Sequence, residues 1–189
     1  MKNVKYGQCI KCGKTYPATP DLTTCTCGGV LEIVYDYDEI KKRLGEFVYS
    51  VDVETLEELV VSLLKKQGKK LATAESCTGG LLAKRITDVS GSSAVFDMGC
   101  VTYANAAKEM LLSVSPETLE AHGAVSPETA KEMAEGIVRR SGSDLGIGIT
   151  GIAGPEGGTE EKPVGLIYIA LSDGEHTWVT KRSPIGRTK

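Results

Sequence analysis

Apolar and polar positions alternate differently on the two sides of residue 50, and the longer, later part carries the stronger periodicity. There, Leu56, Leu59, Val60, Leu63 and Leu64 recur at helical spacing and Gly68 offers a stop, which predicts an amphipathic helix. Lys70 to Ala74 reads as a strand. Leu81, Leu82, Ala83, Ile86 and Val89, with Lys84, Arg85 and Asp88 between them, read as the helix that follows. Ala94 to Tyr103 is an expected strand in which Asp97 needs an edge position or a partner. Ser115-Pro116-Glu117 and Ser126-Pro127-Glu128 are two helix starts of one kind: a capping serine, a proline at the first helical position, an acid in the first turn. The first of these helices stops at His122-Gly123 and the second near Arg140-Ser141-Gly142. Leu145 to Ile149, Val164 to Leu171 and His176 to Lys181 complete the pattern as strands. Alternating strands and helices predict a layered α/β domain with a mostly buried sheet over residues 51–189.

The first fifty residues follow another logic. Cys9, Cys12, Cys25 and Cys27 form a C-x2-C pair and a C-x-C pair separated by twelve residues. Gly13 follows the first pair and Gly28-Gly29 the second, permitting tight turns that aim backbone amides at sulfur. Four thiolates in a tetrahedral array make a closed structural zinc site. A module of this size lacks an adequate apolar core, and metal binding supplies folding free energy in its place. Val30 to Tyr35 reads as a strand and Glu39 to Leu44 as a short helix or linker. The expected organisation is therefore a small zinc-ribbon β module at 1–50, then the α/β domain.

Composition narrows the function classes. The chain has 189 residues, 41% of them hydrophobic and 5% aromatic, so its core must be mainly aliphatic. A formal charge of -3 offers no electrostatic footprint for nucleic acid or an anionic membrane. Residues 1–50 hold seven Lys/Arg against six Asp/Glu, without a basic stripe, so nucleic acid is not the expected partner. No run is apolar for long enough to span a bilayer, and Met1 to Lys5 leads into no apolar leader. The expectation is a cytoplasmic, reducing compartment, where clustered cysteines favour metal over disulfides.

Candidate chemistry centres on Thr73 to Gly80, which read Thr-Ala-Glu-Ser-Cys-Thr-Gly-Gly. A hydroxyl stands at a strand-to-helix turn, with Thr78, Gly79 and Gly80 letting backbone amides crowd a bound atom. Three readings fit that pattern: a nucleophilic serine beside an oxyanion hole, a phosphate cradle, or a plain helix cap. Cys77 is an alternative nucleophile of lower rank, and Cys100 reads as core. A second glycine-rich stretch, Thr150-Gly151-Ile152-Ala153-Gly154-Pro155-Glu156-Gly157-Gly158-Thr159, follows an apolar strand, where open α/β sheets bind ligands. His122 is placed to cap a helix end, and neither it nor His176 is set beside Ser76, which argues against a Ser-His-Asp triad. A lysine whose burial lowers its pKa can serve as base instead, and Tyr103 with Lys108 is the attractive pair.

Two resemblances sharpen these readings. Tyr6, Cys9, Cys12-Gly13, Tyr16-Pro17, Cys25-Thr26-Cys27-Gly28-Gly29, Leu31-Glu32 and Tyr35-Asp36-Tyr37 resemble the small ribbon that opens many threonine synthases, whose pyridoxal-phosphate domain is absent here. From about Val53 onward, Ala74 to Gly80, Ser90-Gly91-Ser92-Ser93, Val101-Thr102-Tyr103-Ala104-Asn105 with Lys108, His122 to Ser126, Gly151 to Gly158 and Lys162-Pro163-Val164-Gly165 occur in the order of the CinA C-terminal domain family. That resemblance implies a nicotinamide-nucleotide amidase that converts nicotinamide mononucleotide to nicotinate mononucleotide and ammonia. It implies Ser76 as nucleophile, Tyr103 and Lys108 as activating partners, and a homodimer. Thr78, Gly79, Gly80, Thr150, Gly151, Gly154, Gly157, Gly158 and Thr159 are then the expected substrate-binding residues. Zinc would be structural and no cofactor would be needed for catalysis. Relatives continue past the position of Lys189 into a further helix and carry a molybdopterin-binding-like domain where the ribbon stands here. The alternative is a non-catalytic adaptor that senses a nucleotide while its ribbon binds a protein or nucleic-acid partner.

Overall fold

The computed structural model describes residues 3–19, 22–45 and 55–183. The expected junction near residue 50 and the tail after Ser183 lie outside the described residues. The chain falls into two compact units, Met1–Asp52 and Val53–Lys189.

The first unit is built on a three-stranded antiparallel sheet in the order β2-β1-β3, with β1 at Val4–Cys9, β2 at Thr15–Tyr16 and β3 at Leu31–Tyr35. Cys9 ends β1, and its backbone closes a tight turn, since the Gly13 N–H donates to the Cys9 carbonyl at 2.9 Å. The second pair sits in a matching turn, where the Gly28 N–H donates to the Cys25 carbonyl at 2.8 Å. Helix α1, Tyr37–Leu44, starts where Asp36 accepts a hydrogen bond from the Glu39 N–H. None of its residues is buried, and the unit has little apolar core.

The second unit contains a five-stranded sheet in the order β5-β4-β6-β7-β8. Strands β4 (Leu71–Glu75), β5 (Phe96–Val101) and β6 (Leu145–Gly151) run parallel, while β7 (Ile167–Ser172) and β8 (Thr177–Arg182) return antiparallel. All five residues of β4 are buried because helices cover both faces. On one face, Leu71 packs with Val61 and Leu64 of α2 (Leu56–Gln67) and Ile86 of α3 (Leu81–Thr87). On the other, Ala72 and Ala74 pack with Leu112 of α4 (Asn105–Leu112) and with Met133 and Ile137 of α6 (Pro127–Ser141). Small residues set the spacing on that second face. A Cβ on Gly148 of β6 would press into the Ala130 carbonyl, and one on Gly136 of α6 into the Leu112 carbonyl, so both contacts are backbone to backbone.

The local signals in the sequence account for most of these bounds. Helix α2 carries a full capping box between Thr55 and Glu58 and ends on a left-handed Gly68. Both Ser-Pro-Glu starts form as expected: Ser115 caps α5 (Pro116–His122) and Ser126 caps α6, each accepting from the backbone N–H three residues on. Asp97 has both things it needed, since it lies on edge strand β5, takes a 2.8 Å hydrogen bond from Lys70 Nζ and takes another from the Ser143 hydroxyl. Helix α4 carries no comparable signal, because Ala104 precedes it and makes no side-chain cap. The sheet is less covered at its far side. Ile169, Leu171 and Trp178 share the face of β7 and β8 away from α6 and remain exposed. Among the described residues no helix is long and apolar enough to cross a membrane.

Candidate functional site

Ser76 follows directly on β4, at the carboxyl edge shared by the three parallel strands, and is buried. Its own N–H is tied to the Ile149 carbonyl of β6 at 3.0 Å, so the nucleophile candidate is anchored to the sheet rather than to a free loop. Lys108 reaches it from α4. The Lys108 Nζ donates to Ser76 Oγ at 3.3 Å, to the Thr102 carbonyl at 2.9 Å and to the Tyr103 carbonyl at 3.2 Å. Only 1% of Lys108 is exposed, and among the described residues no carboxylate pairs with it. Burial pushes its ammonium below the ordinary 10.5, a shift that the neighbouring Cys77 sulfur only partly opposes.

The chain following Ser76 turns through Cys77 to Gly80 and enters α3. Ser76 is not the cap of that helix. Gly80 occupies the cap position in a left-handed conformation (φ 96°) and offers no side chain. The capping oxygens come from Glu75, one residue before the serine: its carboxylate accepts from the Leu82 N–H at 3.0 Å and the Ala83 N–H at 2.8 Å. This removes the plain-cap reading of Ser76. It also puts a carboxylate on the Leu82 and Ala83 amides, where an anion at the start of α3 would otherwise sit. The backbone N–H groups of Cys77, Thr78 and Gly80 donate to no oxygen among the described residues. Those of Cys77 and Thr78 favour the Cys77 thiolate. Burial raises the Cys77 thiol despite them, which disfavours the thiolate a cysteine nucleophile needs. The Thr78 hydroxyl is buried and has no hydrogen-bond partner among the described residues.

The other expected site residues are distributed unevenly. Tyr103 touches Lys108 through its carbonyl, while the residue as a whole is 74% exposed and its phenol has no hydrogen-bond partner among the described residues. Gly151 ends β6 beside the turn, and a Cβ there would meet the Cys77 sulfur at 3.1 Å. Thr150 is buried, and its hydroxyl is committed to the Ala124 carbonyl at 2.6 Å. Beyond Gly151 the chain folds on itself: the Ile152 N–H donates to Leu166, the Gly165 N–H to Ile152 and the Thr159 N–H to Lys162. The Thr159 hydroxyl accepts from the Lys162 N–H at 3.0 Å. Gly154 and Gly157 take positive φ in this hairpin and Gly158 packs on Val164. Its glycines thus serve a self-contained turn that begins at the Ser76 edge of the sheet. His122 closes α5 as expected, with its carbonyl held by Lys162 Nζ.

Two contributors were not foreseen: Glu75 and the Thr102 carbonyl. Glu75 could have been found, since an acid ends an otherwise uncharged strand just ahead of a helix with no Ser, Thr, Asp or Asn at its cap. The Thr102 contact depends on α4, whose start has no local mark.

In the first unit, the sulfurs of Cys9, Cys12, Cys25 and Cys27 all lie within 4.8 Å of one another. The closest pairs, Cys9–Cys27, Cys12–Cys25 and Cys12–Cys27, stand at 3.6, 3.5 and 3.5 Å. A tetrahedral ion with metal–sulfur bonds of about 2.3 Å separates its ligands by about 3.8 Å, so the donor set fits a metal ion with little movement. The electrostatics agree. The Cys27 N–H, helped by the Tyr16 phenol, lowers the Cys25 thiol to about 6. Cys27, although the Gly29 N–H favours its thiolate, is pushed up to about 12 by the sulfurs of Cys25, Cys12 and Cys9. A cation resolves that mutual opposition.

Residues 53–188 match the CinA C-terminal domain family. A putative competence-damage inducible protein of Caldanaerobacter subterraneus subsp. tengcongensis is 57% identical over 161 residues, covering 82% of this chain and 39% of the relative. A CinA-like protein of Desulfovibrio desulfuricans is 56% identical over 150 residues, covering 79% of this chain and 35% of the relative. This chain thus spans well under half the length of these curated relatives. Among solved structures, the competence/damage inducible protein CihA from Agrobacterium tumefaciens has a TM-score of 0.66 at 44% identity, covering 71% of this chain and 82% of that one. The competence damage-inducible protein A (ComA) from Klebsiella pneumoniae subsp. pneumoniae MGH 78578 has a TM-score of 0.67 at 38% identity, covering 69% and 81%. With a family match over most of its length and the same α/β fold in solved relatives, this chain belongs to the CinA C-terminal domain family.

Proposed function

We propose that the second unit is a nicotinamide-nucleotide amidase, hydrolysing the carboxamide of nicotinamide mononucleotide to nicotinate mononucleotide and ammonia. The observation that carries the reading is the buried contact of 3.3 Å between Lys108 Nζ and Ser76 Oγ. As a neutral amine, Lys108 spends its two hydrogens on the Thr102 and Tyr103 carbonyls, and its lone pair then faces the serine hydroxyl. Burial supplies that neutral form at lower pH than in water.

Ser76 Oγ attacks the carboxamide carbon as its proton passes to Lys108, and the carbonyl π electrons move to oxygen. The N–H groups of Cys77, Thr78 and Gly80, which have no oxygen acceptor of their own, receive the developing oxyanion. A donor of this kind is typically worth about 3 kcal/mol. The tetrahedral intermediate collapses by breaking the carbon–nitrogen bond, and ammonia leaves with the proton that Lys108 holds. Tyr103, exposed and unpaired, meets the departing nitrogen once substrate is bound. Water, deprotonated by Lys108, then hydrolyses the acyl-serine ester and restores Ser76. Backbone amides of the hairpin after Gly151 hold the ribose phosphate. The four cysteines of the first unit would hold a zinc ion, whose contribution is to fold that unit.

Ammonia release from nicotinamide mononucleotide by the full chain, measured beside Ser76→Ala, tests the reading. Release by the parent and none by the variant supports it; silence from a folded, zinc-loaded parent overturns it.

A further inference from the structure

We infer that Glu75 is a positioning residue for the nucleophile turn, acting by taking over the capping of α3 from the turn itself; this rests on the amidase reading of Ser76. The carboxylate is 1% exposed, and both of its oxygens are used, one on Leu82 and one on Ala83. Its backbone is equally fixed. Glu75 pairs with Val101 on one side and Ile149 on the other, and its carbonyl accepts from the Thr102 N–H at 2.8 Å. Residues 76–81 are therefore a short arc closed at both ends by one residue: the sheet holds the start through the Glu75 main chain, and α3 holds the finish through the Glu75 side chain.

The arrangement has a chemical consequence. A helix start ordinarily consumes a Ser or Thr hydroxyl of the turn. Here the strand supplies the acceptor, and Gly80 at the cap position supplies none. The Ser76 hydroxyl stays free to meet Lys108, and the Thr78 hydroxyl is left unspent. The position of the turn amides relative to Ser76 Oγ depends on where α3 begins, and the Glu75 bonds set that point. An oxyanion hole loses most of its value when its donors shift by a fraction of an ångström.

Glu75→Gln tests this, because the amide nitrogen it introduces must face a backbone N–H donor. In the folded full-length variant, we expect kcat for nicotinamide mononucleotide to fall tenfold or more with KM within twofold. The rate at which a fluorophosphonate probe labels Ser76, counted per folded molecule below the variant's melting temperature, should fall in parallel. The ascending limb of the pH profile should stay where Lys108 puts it. Parent-like kcat and labelling in Glu75→Gln, whatever its melting temperature, would overturn the inference. Should the parent lack amidase turnover, the labelling rates alone decide: slower labelling in the variant supports the positioning role, equal rates end it.

Discussion

Lys108 Nζ meets Ser76 Oγ across 32 residues of sequence, with the end of β4 offering the hydroxyl and α4, the helix after β5, bringing the amine down onto it. The pair is buried, and two main-chain carbonyls hold the amine in place. General-base assistance of this sort is worth about 10²- to 10⁴-fold. Lys108→Met should therefore lower kcat about 10³-fold while nucleotide binding, followed by calorimetry, is retained. Retained turnover in this variant would remove lysine from the mechanism.

The same amine sets the pH dependence. Because burial lowers its pKa below 10.5, kcat/KM should rise with pH along a single ionisation whose midpoint lies below that value. Stability follows with the same sign. Between the lowered folded pKa and the ordinary unfolded one, the unfolded chain binds more protons, so the Lys108 contribution to stability increases as pH rises through that window. A pH–rate profile beside pH-dependent urea melts of parent and Lys108→Met checks both; a flat rate profile contradicts the base assignment.

How much of this was legible in the sequence depended on where the determining contact lies. The Ser-Pro-Glu starts, the Gly68 stop and the alternating strands are marked by residues within one turn of the boundary they fix, and they formed as expected. Tyr103 and Lys108 were expected as partners of Ser76; Tyr103 precedes α4 and meets Lys108 through its carbonyl, a contact that depends on a helix with no capping side chain. Thr150 was placed correctly at a strand end, but its hydroxyl is taken by Ala124, 26 residues earlier in the chain. A hydroxyl's eventual partner is a tertiary fact, whereas its presence at a strand end is a local one.

Gly136 gives a stability test with two opposing terms. Alanine in a helix interior is favoured over glycine by about 1 kcal/mol. At this position its methyl would be driven into the Leu112 carbonyl, main chain that cannot swing aside. Overpacking of this kind costs about 1–3 kcal/mol, so the net effect of Gly136→Ala should be destabilisation by about 1 kcal/mol. The urea midpoint should fall; a rise would mean that α4 and α6 can separate without loss.

The cysteine unit should bind one zinc ion per chain, and metal analysis of the purified protein measures it. Chelation, or Cys25→Ala, should leave the amides of β1 and β3 open to hydrogen exchange while those of α6 stay protected, because the first unit has little apolar core of its own. Undiminished protection in β1 after complete metal removal would refute a folding role.

At the edge of the sheet, Asp97 is held below its usual carboxylate range by the hydrogen bond from Lys70, opposed by partial burial and aided by Ser143. Its contribution is present above the ordinary value of 3.8 and is lost as pH falls through the lowered folded value. The pair is partly exposed, so the effect is worth less than about 1 kcal/mol. Asp97→Asn should flatten the acid limb of a stability–pH curve by that amount; an unchanged limb would show the bond to be idle.

The hairpin between β6 and β7 is pinned by backbone bonds of its own at Ile152, Thr159, Lys162 and Gly165, and it departs from the sheet beside the Ser76 turn. The buried serine–lysine pair and the residues that can vary in length and outline are thereby kept on separate pieces of chain. Within a lineage, such a hairpin can be lengthened, shortened or recoloured in charge at little expense to the folded core, since loop closure grows only slowly with length. On the amidase reading, substrate preference is then the trait most open to drift in this fold, and the serine–lysine pair the one least able to follow it.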